Sequence, residues 1–139
     1  MPTYRLDIAD QFDFRLIGVS THERDYRLAW AVNLALGWNL SRDEDLEIPA
    51  RSRRPASKHS VFVYSAEENS GVYYLIENKS ASGLLMPAVQ QFQFLIKVDD
   101  MPDELFNEFL TGLRSANYVM TAVEISLEGL KEKENLIMQ

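Results

Sequence analysis

Leu84–Val98, LLMPAVQQFQFLIKV, carries the clearest structural signal in the chain. An apolar run and a proline lead into residues that alternate. Phe92, Phe94, Ile96 and Val98 fall on one side; Gln93, Leu95 and Lys97 fall on the other. A period of two marks a half-buried β-strand, because successive side chains of an extended backbone point to opposite faces. Pro87 precedes the alternation, where its missing N–H costs no ladder hydrogen bond. The segment speaks for folding and names no chemistry, and the rest of the chain has the same character.

Upstream, Val61–Ser65 and Val72–Glu77 are rich in β-branched and aromatic residues. The turn-forming stretch Ala66-Glu67-Glu68-Asn69-Ser70-Gly71 separates them, which predicts a hairpin. Asn78 to Gly83 reads as a loop. Downstream, Asp100 to Ser115 predicts a helix. Pro102 lies in its first turn, Asp103 and Glu104 at its positive end and Arg114 at its negative end, and Leu105, Phe106, Phe109, Leu110 and Leu113 form a stripe. Tyr118 to Leu127 follows as a strand with Val119, Thr121, Val123, Ile125 and Leu127 on its apolar face. The charged segment Glu128 to Asn135 is a further helical candidate.

Toward the N-terminus, Tyr4 to Asp10 alternates weakly and Phe12 to Val19 is extended. A helix is expected from Ser20, with Glu23 completing a capping box, to Leu36 before Gly37. Tyr26, Trp30, Asn33 and Leu34 line one side of it. Ala29, Ala31, Val32, Ala35 and Leu36 spread the apolar surface further, so the helix is covered twice or sits in an interface. Trp38 to Ile48 is ambiguous. Pro49 to Ser60 is polar and basic, with Pro49 and Pro55 opposing regular structure.

These elements predict a single α+β domain over residues 1–139, with a flexible basic loop at 49–60. A mostly antiparallel sheet of five or six strands has both main helices on one face. The element order resembles a split βαβ arrangement.

Composition excludes several function classes. The chain has 139 residues, 46% of them hydrophobic and 25% charged, which suits an ordinary globular domain with its own core. It has no cysteine, so disulfides, thiolate catalysis and the common zinc and iron–sulfur sites are out. The start, MPTYRLDIAD, lacks the basic and apolar regions of a secretory signal, and no run nears the ~20 apolar residues that span a bilayer. A cytoplasmic protein without membrane attachment is expected, and the sequon Asn78-Lys79-Ser80 is then a chance match. A net charge of −7 opposes nonspecific nucleic-acid binding.

Three stretches resemble the IPExxVDY family of small proteins from Bacteroidetes-type bacteria. They are FDFRLIGVSTHERDYRLAW (Phe12 to Trp30), YYLIENKSASGLLMP (Tyr73 to Pro87) and KEKENLIM (Lys131 to Met138). Met86 and Pro87 stand for the Ile-Pro of the signature, and Ala88 takes the place of its glutamate. Phe92-Gln93-Phe94 stands for the closing Val-Asp-Tyr, so Gln93 replaces the aspartate. The resemblance implies an uncharacterised protein and carries no activity.

No catalytic, cofactor-binding or metal-ligating set can be assembled. His22 and His59 are the only histidines and have no partner at ligand spacing. Asp7, Asp10 and Asp13 would divide between two strand faces. Asp43, Glu44, Asp45 and Glu47 lack the glycine and the length of a calcium loop. The six glycines form no phosphate loop, and Ser20 and Ser65 have no neighbouring base. The aromatics remain. The expected function is protein interaction without enzymatic activity, through a homodimer or another protein partner, by an aromatic-rich sheet face or the first helix, with Trp30, Trp38, Tyr64 and Tyr73 as hydrophobic anchors. The alternative is a small-molecule binding module in which the same aromatics line a pocket between helix and sheet and Arg51, Arg53 or Arg54, on the flexible loop, closes over an anionic ligand.

Overall fold

The computed structural model describes residues 14–66, 71–130 and 133–136. The expected strand at Tyr4–Asp10 and the carboxylates Asp7, Asp10 and Asp13 lie outside them. In chain order the elements are β1 (Phe14–Ser20), α1 (Asp25–Leu36), β2 (Ser41–Arg42), β3 (Leu46–Ile48), β4 (Ser57–His59), β5 (Val61–Ala66) and β6 (Gly71–Glu77). There follow β7 (Lys79–Ser80), β8 (Gly83–Leu84), β9 (Phe94–Asp99), α2 (Asp103–Arg114) and β10 (Thr121–Ile125), with 3-10 turns at Pro87–Val89 and Lys133–Leu136.

Six strands form an antiparallel sheet in the order β10-β1-β9-β6-β5-β2. The fold is α+β, as the sequence predicts. The hairpin β5–β6 pairs Val61 with Ile76 through to Ala66 with Gly71. Both β9 and β10 run antiparallel to β1 between them and are joined through α2, which is a split βαβ unit.

The alternating segment lands at the centre of this sheet, and its second face is not polar surface. Phe94, Ile96 and Val98 pack beneath the helices. Leu95 and Lys97 on the opposite side are also buried, at 0% and 4% exposure, so β9 is covered on both faces and not half-buried. Lys97 tolerates this because its ammonium lies 3.7 Å from Asp99 and over the rings of Phe14 and Tyr74. Burial lowers its pKa, and Asp99 opposes that shift.

Both helices lie on one face. Leu28, Ala29 and Val32 of α1 and Phe106, Phe109 and Leu113 of α2 close over Ile17, Leu75 and Ile96. On the other face Leu16, Val61, Ile76 and Leu95 meet Ile48, Leu85, Met86, Val89, Phe92 and Leu136 from short strands and turns. This irregular layer covers the face that the sequence left open for an interface.

Several boundaries and facings differ from expectation. Helix α1 starts at Asp25, five residues after Ser20. Thr21 Oγ1 accepts from the Glu23 N–H at 3.1 Å, so a local Ser/Thr turn replaces the capping box. Its end at Gly37, in the left-handed conformation (φ 67), is as predicted. In β10 it is Ala122 that is buried, while Val123 is 46% exposed, because β10 is an edge strand and α2 covers only the Ala122 side. Of the basic stretch, 49–56 is a loop, whereas Ser57–His59 is a strand with Ser57 and His59 buried. Among the described residues, no helix is long and apolar enough to cross a membrane.

Candidate functional site

Four elements converge on Trp38. It lies just beyond the left-handed Gly37, in a turn held by one side chain. Asn33 Oδ1 accepts the Leu40 N–H at 2.8 Å and Asn33 Nδ2 donates to the Leu40 carbonyl at 3.2 Å. The Asn33 carbonyl accepts from the N–H groups of Gly37 and Trp38. The indole is thereby fixed over the hairpin, where Tyr64 and Tyr73 are direct cross-strand partners. Its ring centroid lies 4.8 Å from Tyr73, 5.7 Å from Tyr64 and 5.4 Å from Phe109 of α2, the last pair tilted by only 4°. Each such contact contributes about 0.5–1.5 kcal/mol beyond area burial.

Three of the four anchor candidates are therefore one cluster: Tyr73 is buried, and Trp38 and Tyr64 are half-buried. Beside them is a groove of about 410 Å³ between the C-terminal end of α1, α2 and the hairpin. Leu36, Tyr64, Met101, Leu105 and Glu108 line it with the stack. Gly112 lets the helices approach at its floor, since a Cβ there would lie 2.7 Å from Leu36 Cδ2. Among the described residues, no lysine or arginine lines it.

Trp30 is elsewhere. It sits on the outer side of α1 between Tyr26 and Leu34, with exposures of 59%, 55% and 68% for Tyr26, Trp30 and Leu34. The spacing i, i+4, i+8 makes them one ridge along the helix. Arg27 flanks it, pairing with Glu23 at 3.1 Å and donating to the Tyr118 hydroxyl at 2.7 Å.

Arg51, Arg53 and Arg54 are not near either feature. They occupy the loop between β3 and β4, where Arg51 and Arg54 exchange backbone hydrogen bonds and Arg54 donates to the Leu84 carbonyl. A second groove, of about 400 Å³, lies along this hairpin between Ile48, Pro49, Ala56 and Ser57, with Glu47 and Lys58 at its edge.

One polar pair here escaped the sequence reading. Ser57 Oγ is 2.8 Å from His59 Nε2, and His59 Nδ1 is 2.9 Å from the Glu77 carbonyl. Nδ1 must donate to that carbonyl, so Nε2 accepts from the serine. Ser-x-His on a strand puts both on one face, which was the available signal. The geometry is that of a serine and its base, yet the imidazole is fully buried with both nitrogens engaged. Burial also lowers its pKa, with Arg54 acting in the same direction. This arrangement is that of a satisfied core histidine, and no catalytic role is built on it. Among the described residues, no three acidic, cysteine or histidine side chains are grouped to hold a metal ion.

Compared with known proteins, the chain matches no family model, no curated protein and no solved structure.

Proposed function

We propose that the protein is a cytoplasmic interaction module of the IPExxVDY kind that pairs with a second copy of itself, α1 against α1. The observation that carries this reading is the Tyr26–Trp30–Leu34 ridge, three large apolar side chains each more than half exposed. Single exposed apolar residues are ordinary, whereas a contiguous row on a helix marks an interaction face. Rows at i±4 interdigitate when two helices cross at about −50°.

A two-fold axis through Trp30 supplies the complementarity. Trp30 then faces its copy, and Tyr26 faces Leu34 of the other chain. The last turn of α1 holds no basic residue, leaving its negative end uncompensated. One helix face is small for an interface, so the dimer is expected in the micromolar range.

The test is sedimentation equilibrium from low-micromolar to near-millimolar protein, on the parent and on Trp30→Glu. The parent is expected to shift from monomer to dimer, and the exposed substitution to abolish the shift while leaving the circular dichroism unchanged. A parent that stays monomeric throughout, or a Trp30→Glu variant that still dimerises, overturns the proposal.

A further inference from the structure

We propose that the groove beside Trp38 binds a small organic cation with a flat apolar body, such as an arylalkyl ammonium. This site is separate from the Trp30 ridge.

Its volume of about 410 Å³ is within the usual range for small-molecule sites, roughly 300–1,000 Å³. Tyr64, Met101 and Leu105 offer an apolar wall, and the Trp38 stack behind them is held by the Asn33 turn, so little ordering is lost on binding. A mobile apolar surface would collapse onto itself, whereas this one is braced by two helices and a hairpin.

The sign of the ligand follows from what surrounds the opening. Glu108 is the one charged side chain among the described residues of the lining. It lies one turn before Gly112, where α2 meets Leu36. Ala35, Leu36 and Gly37 bring the C-terminal end of α1 to the same wall, and that end has no basic residue in its last turn. A carboxylate and the negative pole of a helix therefore face a groove with no cation among its described lining residues. The three arginines that the sequence offered for an anion are on the β3–β4 hairpin and do not reach it. An anionic ligand would meet repulsion; a cation meets the Glu108 carboxylate and the helix pole together.

Two tryptophans make the test direct, because Trp30→Phe leaves Trp38 as the only indole. That variant is titrated with benzyltrimethylammonium, with benzenesulfonate as an anion of similar size and with benzyl alcohol as a neutral control, and Trp38 emission is followed. Calorimetry with the unsubstituted chain checks the cation. A saturable change with the cation is expected, at least about tenfold weaker with the sulfonate and about three- to tenfold weaker after Glu108→Gln. No saturable response to the cation overturns the site. Equal affinity for cation and anion, or a cation affinity that Glu108→Gln leaves unchanged, overturns the assignment of a cationic ligand.

Discussion

The two faces of the sheet are closed by different means. On the helix side, α1 and α2 satisfy their own backbone groups and present side chains only, so the seam is apolar: Leu28, Val32, Phe106, Phe109 and Leu113 against Ile17, Leu75 and Ile96. On the other side the cover consists of turns and two- or three-residue strands whose backbone groups are not self-satisfied. There the buried polar residues collect: Asn78, Ser57, His59 and Lys97. A sheet face can be sealed without a helix if polar side chains take over the hydrogen bonds that a helix would have made internally.

Removing the most connected of those side chains tests this contrast most severely. Asn78 Nδ2 donates to the carbonyls of Val89 at 3.2 Å and Phe92 at 2.9 Å, and its Oδ1 accepts the Met86 N–H at 2.7 Å. Its backbone binds Gln93 and Leu85. The residue that opens the sequon is thus a fully buried clamp on the segment between β8 and β9. Asn78→Ala would leave the buried Phe92 carbonyl and Met86 N–H unpaired and the Val89 carbonyl with only the Phe92 N–H, a loss of about 2–5 kcal/mol in urea unfolding. Amide exchange should rise first between Leu85 and Phe92, ahead of β1 and β9. Exchange that stays uniform across the chain would mean that the layer is held by apolar packing alone.

A smaller effect probes the packing half of the same layer. Gly18 of β1 faces the ring of Phe92, and an added Cβ would lie 2.3 Å from Phe92 Cδ2. The aromatic ring takes the space that a side chain would fill. Gly18→Ala should cost about 2 kcal/mol by overpacking, and much of that loss should return when Phe92→Leu is combined with it. Additive losses in the double variant would show that the ring does not depend on the glycine.

The same contrast explains how much could be read beforehand. Helix α2, the β5–β6 hairpin and the core strand β9 were legible because each repeats its apolar residues at its own period, at Phe106, Phe109 and Leu113 or at Phe94, Ile96 and Val98. The irregular layer repeats nothing. Asn78 and His59 looked like loop residues because their burial depends on strands brought together from afar. The site was legible in kind and not in place. Trp38, Tyr64 and Tyr73 do meet, since residues 64 and 73 face each other across the hairpin. That Trp38 joins them depends on the Asn33 turn, and that Trp30 points away depends on which side of α1 meets the sheet. A stripe of Tyr26, Trp30 and Leu34 and a stripe of Leu28, Ala29 and Val32 are equally helical, and only the bulk of α2 and the sheet chooses between them.

The gentlest way to sharpen the comparison is to titrate the irregular face and leave the apolar one untouched. His59 is held below its ordinary pKa of 6.5 chiefly by burial, with Arg54 adding to the effect and its hydrogen bond to Glu77 and Asp45 opposing it. The unfolded chain therefore takes up this proton before the folded one does. Stability from His59 is fully present above about pH 6.5 and declines as the pH falls from there toward the folded-state value, by at most about 1.4 kcal/mol per pH unit. Glu77 and Asp99 are both raised by burial, so their contribution has the opposite sign: each takes up its proton more readily in the fold, and stability from them rises as the pH falls through the raised value toward the ordinary carboxylate range. Between about pH 7 and pH 5 the urea midpoint of the parent should decline relative to that of His59→Gln, whose amide carries no titrating proton while Glu77 and Asp99 titrate alike in both. Among the described residues the helix face contains no buried histidine, so a decline that survives His59→Gln would place the acid-sensitive contact outside this layer and undo its claim to be the face that polar groups hold shut.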